Sequence, residues 1–349
     1  MNTPTPFSQT KSSFEWSLWK AYRLRWKRRR FLFRVLRKRG EITNLINRTS
    51  QIGANDILAF STARNEMERL PHFLDHHRAL GVGHFFFVDN DSTDGTSEFL
   101  EDQPDVSLWH TKHSYRLSRF GVDWLGALQF RYGHGHWCLT LDADELLVFP
   151  DCERQSLDCL TRELTARGQT ALGAIMLDLF PMGPVGDADF DAGANPINTI
   201  PWFDADGYRC RIHHMYGNEW IQGGVRDRVF FSEEPQKAPT LNKFPLVLWN
   251  RRYAYVNSTH QLLPTSLHKT YDPLDRRNIS GALLHTKFLP SIVEKSREEM
   301  QRRQHFQNSD LYQTYYEALV QNPDLWTPKA IKYLNSRQLV DLGLISQGD

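Results

Sequence analysis

A chain of 349 residues, 40% hydrophobic and 24% charged, is long enough to bury a large core and permits one large domain or two smaller ones. Its four cysteines, Cys138, Cys152, Cys159 and Cys210, form no C-x-x-C pair and no dense framework, which suits a reducing compartment and argues against a zinc ribbon. No run approaches the roughly 18 uninterrupted apolar residues of a spanning helix, and no secretory h-region is visible, so the expectation is a cytoplasmic protein.

The net charge of +1 hides an asymmetry. Residues 1–50 hold 13 Lys and Arg against Glu15 and Glu41, whereas the rest of the chain holds 29 basic and 39 acidic residues. From Phe14 to Arg39, Trp16, Trp19, Trp26, Phe31, Phe33 and Val35 are interleaved with Lys20, Arg23, Arg25, Lys27 to Arg30, Arg34 and Arg37 to Arg39. A helix of this composition suits the interface of an anionic membrane, which would make the protein peripheral at the inner face of the plasma membrane. The plain alternative is a helix that packs its aromatics on the main domain and solvates its charge. No groove-reading or stacking module accompanies the arm, so nucleic acid is not an expected partner.

After the arm, strands and helices alternate. Ile57 to Phe60 reads as a strand, and Glu66 to Leu80 as a helix with Leu70, Phe73, Leu74, His77 and Leu80 on one face, Pro71 in its first turn and Gly81 as its stop. His84 to Val88 is a second strand. It runs into Asp89-Asn90-Asp91-Ser92-Thr93-Asp94-Gly95, a loop in which Asp94 and part of Asp91 serve turn and cap chemistry. Val106 to Trp109 reads as a third strand, Ser118 to Tyr132 as a helix, and Trp137 to Leu141 as a fourth strand, apolar enough to be covered on both faces. Units of this length predict an α/β fold with a mostly parallel sheet and right-handed crossovers. Ala174 to Leu177 is a further strand. Beyond Ser291 the chain reads as a helical tail, Ile292 to His305 and Leu311 to Val320, punctuated by Pro323 and Pro328.

The sequence Asp142-Ala143-Asp144-Glu145 follows the fourth strand, at the edge where open α/β sheets bind ligands. Two aspartates one residue apart can converge on a hard divalent cation, and such a cation can hold a diphosphate. If the strands ending at Phe60, Asp89 and Leu141 are parallel neighbours, Arg64-Asn65-Glu66 and Asp89-Asn90-Asp91 share that crevice. A cation, amides and carboxylates together suit a nucleotide with its metal. For Arg64 alone the plain alternative is a surface salt bridge.

Taken in order, Thr62-Ala63-Arg64-Asn65-Glu66, His76-His77-Arg78 with Leu80-Gly81-Val82, Phe87 to Thr96, and Leu141-Asp142-Ala143-Asp144-Glu145 resemble the glycosyltransferase family 2-like proteins of GT-A fold. The similarity is strongest over about residues 55 to 150. It continues through Gly223 to Arg228, Lys243 to Leu246 and Leu284 to Phe288, which resemble the distal segments of a subgroup of bacterial sugar transferases. The resemblance implies a Rossmann-like, mostly parallel sheet flanked by helices over 51–290, with 51–150 as the nucleotide-sugar half and 151–290 as the acceptor half. The basic arm 1–50 and the tail 291–349 stand outside it. It also implies inverting transfer of a sugar from a nucleotide-diphosphate sugar donor to a hydroxyl of a glycan or glycolipid acceptor, with Mn²⁺ or Mg²⁺ as cofactor. Carried over, Asp89 and Asp91 contact the nucleoside, with Arg64, Asn65 and Glu66 in the same crevice. Asp144 binds the metal, and Asp142 binds the ribose or the metal. Glu145 is expected to orient the loop rather than touch the ion.

An imidazole ligand tilts an oxygen site towards Mn²⁺, and His285 is the candidate, as a late histidine is in some GT-A enzymes. The alternative is a structural histidine after an apolar strand. Lys287, two residues on and on the same face of a strand, is placed to reach a phosphate. Inverting transfer needs a carboxylate to take the acceptor proton. Asp227, beside Gly223-Gly224 and flanked by Arg226 and Arg228, is the first candidate, Asp178 the second and Glu219 the third. For Asp227 the alternative is an ion pair with Arg226, Arg228 or another neighbour. Trp202, Trp220 and Trp249 offer stacking surfaces for a sugar or serve the core. Two readings from other classes stand beside this one: a metal-dependent phosphohydrolase, which would call for a second metal cluster or a nucleophile loop, and a non-catalytic protein that binds membrane or nucleic acid through the arm.

Overall fold

Apolar strand segments form a nine-stranded sheet at the centre of the computed structural model, which describes residues 6–9, 16–302 and 309–348. In chain order its strands are β1 (Thr43–Ile46), β2 (Ile57–Ala63), β3 (Val82–Asp89), β4 (Val106–His110), β5 (Trp137–Thr140), β6 (Glu145–Val148), β7 (Ala171–Asp178), β8 (Asn242–Leu248) and β9 (Ser280–His285). They lie in the order β1-β4-β3-β2-β5-β8-β7-β9-β6. The run β4-β3-β2-β5 is parallel, as is the pair β7-β9. Strands β1, β8 and β6 run against their neighbours, so the sheet is mixed but mostly parallel. Phe60, Phe85, Phe86 and Phe87 are fully buried, and Phe60 stacks on Phe86 at 4.6 Å, as expected for strands covered on both faces.

The principal helices are α1 (Leu18–Lys38), α2 (Leu70–Leu80), α3 (Thr96–Glu101), α4 (Val122–Leu128), α5 (Leu157–Ala166), α6 (Gly224–Phe230), α7 (Ile292–Arg302), α8 (Ser309–Val320) and α9 (Ser336–Asp341). The basic arm is helical as its composition suggests, with Ser17 as N-cap and Arg37 and Lys38 in the last turn, where cations suit the helix dipole. Phe14 and His305, at the limits of two expected helices, lie outside the described residues.

Two expected helices are shorter than their periodicity suggests. The segment before α2 is drawn into a turn because the Glu66 and Met67 amides donate to Thr96 Oγ1 and Asp94 across the crevice, and the helix starts only at Leu70. The helix expected from Ser118 is delayed by Arg119, Phe120 and Gly121, all at positive φ; it begins at Val122 and ends in a π-helical turn, Gln129–Gly133.

Strand β6 is a sheet edge, and helix α2 covers it. His76 Nε2 donates to Leu147 O, the Leu147 amide donates to His77 Nε2, and His77 Nδ1 donates to Phe73 O. Burial holds both imidazoles below their ordinary value, His76 at about 4, so they remain neutral partners of the edge backbone. A second apolar cluster joins Phe180, Val225 and Phe288 to Val293, Tyr315 and Leu319 of the tail. Outside the main sheet, Phe7–Gln9, Tyr208–Ile212 and Glu219–Gln222 form a small three-stranded sheet. No helix among the described residues is long and apolar enough to cross a membrane. The four cysteines are unpaired.

Candidate metal and nucleotide site

The sheet register assembles the site. Strand β9 lies between β7 and β6, and its last residue, His285, is in register with Asp178 on one side and Glu145 on the other. Residues 141–144 connect the end of β5 to the start of β6, so Asp144 arrives beside the same imidazole. His285 Nδ1 donates to Asp178 Oδ1 at 2.5 Å, and His285 Nε2 lies 3.0 Å from Asp144 Oδ2. The Thr286 amide and hydroxyl both donate to Asp144 O, at 2.8 and 3.0 Å, and fix the turn.

Asp144, Glu145 and His285 each offer a ligand atom, and the three atoms lie within 4.8 Å of one another. Two carboxylates and one imidazole suit a hard to borderline divalent cation of the Mn²⁺ or Mg²⁺ kind. An aspartate on the far ring nitrogen is the usual second partner of a metal-ligating histidine, and Asp178 occupies that position. Burial alone would raise the Asp144 carboxyl, but His285, with Arg69 and Lys287 behind it, holds it well below the ordinary range. Burial likewise works against the charge on Asp178, yet Arg226, whose Nε donates to Asp178 at 2.7 Å, and His285 pull it down to about 2. His285 is raised: burial disfavours its charge, and Asp144 and Asp178 outweigh burial. The resting cluster is therefore a charge-balanced chain, Asp144, His285, Asp178 and Arg226.

Asp142 turns away from this group. Half exposed, its Oδ2 accepts from Lys243 Nζ at 2.8 Å, and the same buried ammonium contacts Glu145. The Asp142 amide donates to Glu145 Oε2 at 3.2 Å. Glu145 thus bonds to the loop backbone, and it also stands among the three candidate ligands, where the expectation kept it off the ion. Burial pushes its carboxyl up, and the neighbouring aspartates add to the rise against the pull of Lys243.

The other side of the crevice is built on parallel neighbours β2 and β3, where Ala63 is in register with Asp89. Asp89 is buried; its Oδ2 accepts from the Ser92 amide at 3.3 Å and from His110 Nδ1 at 3.1 Å, while its Oδ1 has no hydrogen-bond partner among the described residues. Asp91, at φ 62°, is half exposed, and its Oδ1 lies 3.6 Å from Lys112 Nζ. Arg64 reaches Asn90 O through Nη1, and its buried Nε is also unpartnered among the described residues. Asn65 and Glu66 lace the two loops together: the Asn65 amide donates to Ser92 Oγ, and Asn65 Oδ1 accepts from Thr93. The Glu66 side chain pairs with Arg69 and Lys295. Asp94 caps Thr96, as expected for a turn residue.

The remaining candidates lie elsewhere in the packing. Asp227 receives a bidentate pair from Arg209, both bonds at 2.7 Å, which is the alternative reading of an ion pair with a neighbour. Glu219 accepts from Cys210 Sγ in the small sheet. Trp249 is buried against Tyr255, and Trp202 meets Trp326 edge to face. Trp220 packs on His213. Lys287 is half-buried, with Nζ 5.7 Å from the Tyr315 ring centroid, and its charge is felt by Asp144. Sequence reasoning gave no role to Lys243, Arg69 or Tyr115. Tyr115 is held neutral by burial and by the field of Asp142, Asp144, Glu145 and Glu66. A lysine or arginine far off in the chain gives no local sign that it will be enclosed beside carboxylates.

No protein-family model matches the chain, and no curated protein is significantly similar to it.

Proposed function

We propose that the protein is a metal-dependent glycosyltransferase with a GT-A-type, Rossmann-like catalytic domain, acting on a nucleotide-diphosphate sugar and an acceptor hydroxyl of a glycan or glycolipid. The observation that carries this reading is the Asp144, Glu145 and His285 group at the same edge of the sheet as the buried, unpartnered Asp89 Oδ1. An orphaned carboxylate oxygen and an orphaned Arg64 Nε in one crevice call for a polar ligand, and a nucleoside supplies donors and acceptors for both.

In this reading Asp144, Glu145 and His285 hold Mn²⁺ or Mg²⁺, and Asp178 aims His285. A bound cation would act as a Lewis acid on the departing diphosphate. Lys287, Arg69 and Arg226 add fixed positive charge behind Asp144 and Asp178, which favours an anionic donor. The bond from the anomeric carbon to the diphosphate oxygen breaks with its electron pair on the diphosphate. The acceptor oxygen forms the new bond and gives its proton to a carboxylate. Asp178 has both oxygens engaged and serves better as a positioning residue. Asp227 would have to leave Arg209 before it took a proton.

Titration calorimetry with nucleoside diphosphates tests the reading. Binding is expected only with Mn²⁺ or Mg²⁺, with a loss of at least about 100-fold for Asp144→Ala. Metal-independent binding, or binding indifferent to the substitution, would sink it. A screen of nucleotide sugars then separates the transferase, which releases a nucleoside diphosphate, from a phosphohydrolase, which cleaves within the diphosphate.

A further inference from the structure

Helix α1 carries two side-chain stripes, offset by one residue. Lys20, Arg23, Lys27, Arg30 and Arg34 repeat at alternating spacings of three and four, and so fall on one face. Trp19, Tyr22, Trp26, Phe33 and Leu36 follow the same rhythm, with Arg29 in the gap, and form the adjacent stripe. At about 100° per residue this aromatic stripe points away from Leu24 and Val35, the buried residues of the helix. Trp19 is 67% exposed, Trp26 52% and Phe33 70%. An exposed, mostly aromatic face on a helix otherwise full of cations marks a surface that something covers.

Beside the cationic stripe lies a groove of about 1290 Å³, whose far wall carries Arg116 and Arg119 and whose lining includes Leu24, Phe31 and Met215. Seven of its lining residues are Lys or Arg and none is acidic. Four of the seven have internal partners. Arg34 and Arg119 share the buried Asp123, Lys20 reaches His214 O, and Lys27 reaches the Tyr216 hydroxyl. The side chains of Arg23, Arg30 and Arg116 have no ion-pair or hydrogen-bond partner among the described residues and are exposed at the groove. Leu117, 66% exposed, stands on the far wall.

We propose that α1 lies on an anionic phospholipid surface, with lipid phosphates drawn into the groove by Arg23, Arg30 and Arg116 and with Trp19, Tyr22, Trp26 and Phe33 in the boundary between headgroups and acyl chains. Charge complementarity selects the anionic surface, and the aromatic stripe selects a bilayer over a free polyanion, which has no apolar layer to receive it. This inference does not rest on the transferase reading.

Cosedimentation of the full chain with vesicles tests it, comparing phosphatidylcholine alone with phosphatidylcholine containing about 30% phosphatidylglycerol. Binding is expected only to the anionic vesicles and to weaken with salt. Arg23→Gln, Arg30→Gln and Arg116→Gln combined should lower it on the order of 100-fold, since each surface cation near an anionic leaflet contributes roughly five-fold. Trp19→Ser with Trp26→Ser should remove quenching of tryptophan fluorescence by brominated lipid. These side chains are exposed, so both variants should keep the circular dichroism spectrum and the thermal midpoint of the parent. Equal binding to neutral vesicles, full binding by the triple variant, or displacement of the vesicles by a single-stranded oligonucleotide would overturn the proposal.

Discussion

His285 has an aspartate on each ring nitrogen, and the two serve different ends. Asp144 is a candidate ligand, whereas Asp178, tied to Arg226, fixes the ring so that Nε2 faces Asp144. Asp178→Asn should therefore weaken Mn²⁺ binding by about 10- to 100-fold while leaving the protein folded, read by metal titration and circular dichroism. A second buried carboxyl gives a pH signature remote from the cluster. Burial pushes Glu219 up to about 7, against an unfolded value of 4.5. A carboxyl raised by folding contributes its stability in full below the unfolded value and loses it as pH rises through the folded one. Stability should fall by about 3 kcal/mol between pH 4 and pH 8 from this residue, and Glu219→Gln should remove that slope in denaturant titrations. The Asp-x-Asp string was legible in the sequence. The split within it was not: Asp144 faces His285 and Asp142 faces Lys243 because residues more than a hundred positions further on supply the partners.

Strand β8 illustrates why an element escapes a sequence reading. Pro245 argues against a central strand, yet β8 lies between β5 and β7. The register shift between Lys243 and Leu246 lets the chain pass the missing amide, and Lys243 enters the site from the start of that strand. For α1 the opposite holds: composition announced the helix, and only packing shows how it is tethered. Asp123, fully buried on α4, receives Arg34 of α1 and Arg119 of the preceding loop. Asp123→Ala leaves two guanidiniums without their carboxylate, although Arg119 keeps the Tyr255 and Val256 carbonyls and Arg34 is partly solvated, so the cost should be about 2 kcal/mol. Faster tryptic cleavage within α1 than in the parent is the expected readout; unchanged cleavage would show that other contacts hold the helix.

At the scale of the molecule the tail is part of the core. Leu339, Leu344 and Ile345 join the main hydrophobic cluster, and Ser336 bonds to Glu153 through its amide and hydroxyl. Burial of three such side chains contributes roughly 1.5–3 kcal/mol each, comparable to the whole stability of a typical domain. Deletion of residues 336–349 should thus unfold the protein or drive it into aggregates, measured by thermal denaturation and size-exclusion chromatography. Tyr315 and Leu319 of the tail lie on the second cluster, whereas Leu339, Leu344 and Ile345 reach the core of the main sheet.

Local pattern determined much by itself: the alternation of apolar strands and amphipathic helices, the carboxylates at strand ends and the basic aromatic helix. These depend on residues close in sequence, whose periodicity and turn chemistry act without distant partners. The tertiary structure alone decided which strand ends became neighbours, which carboxylate received an imidazole and which a lysine, and which face of α1 remained uncovered. Those outcomes depend on strand order and register, and a local pattern carries no information about the side chain that will stand across a sheet.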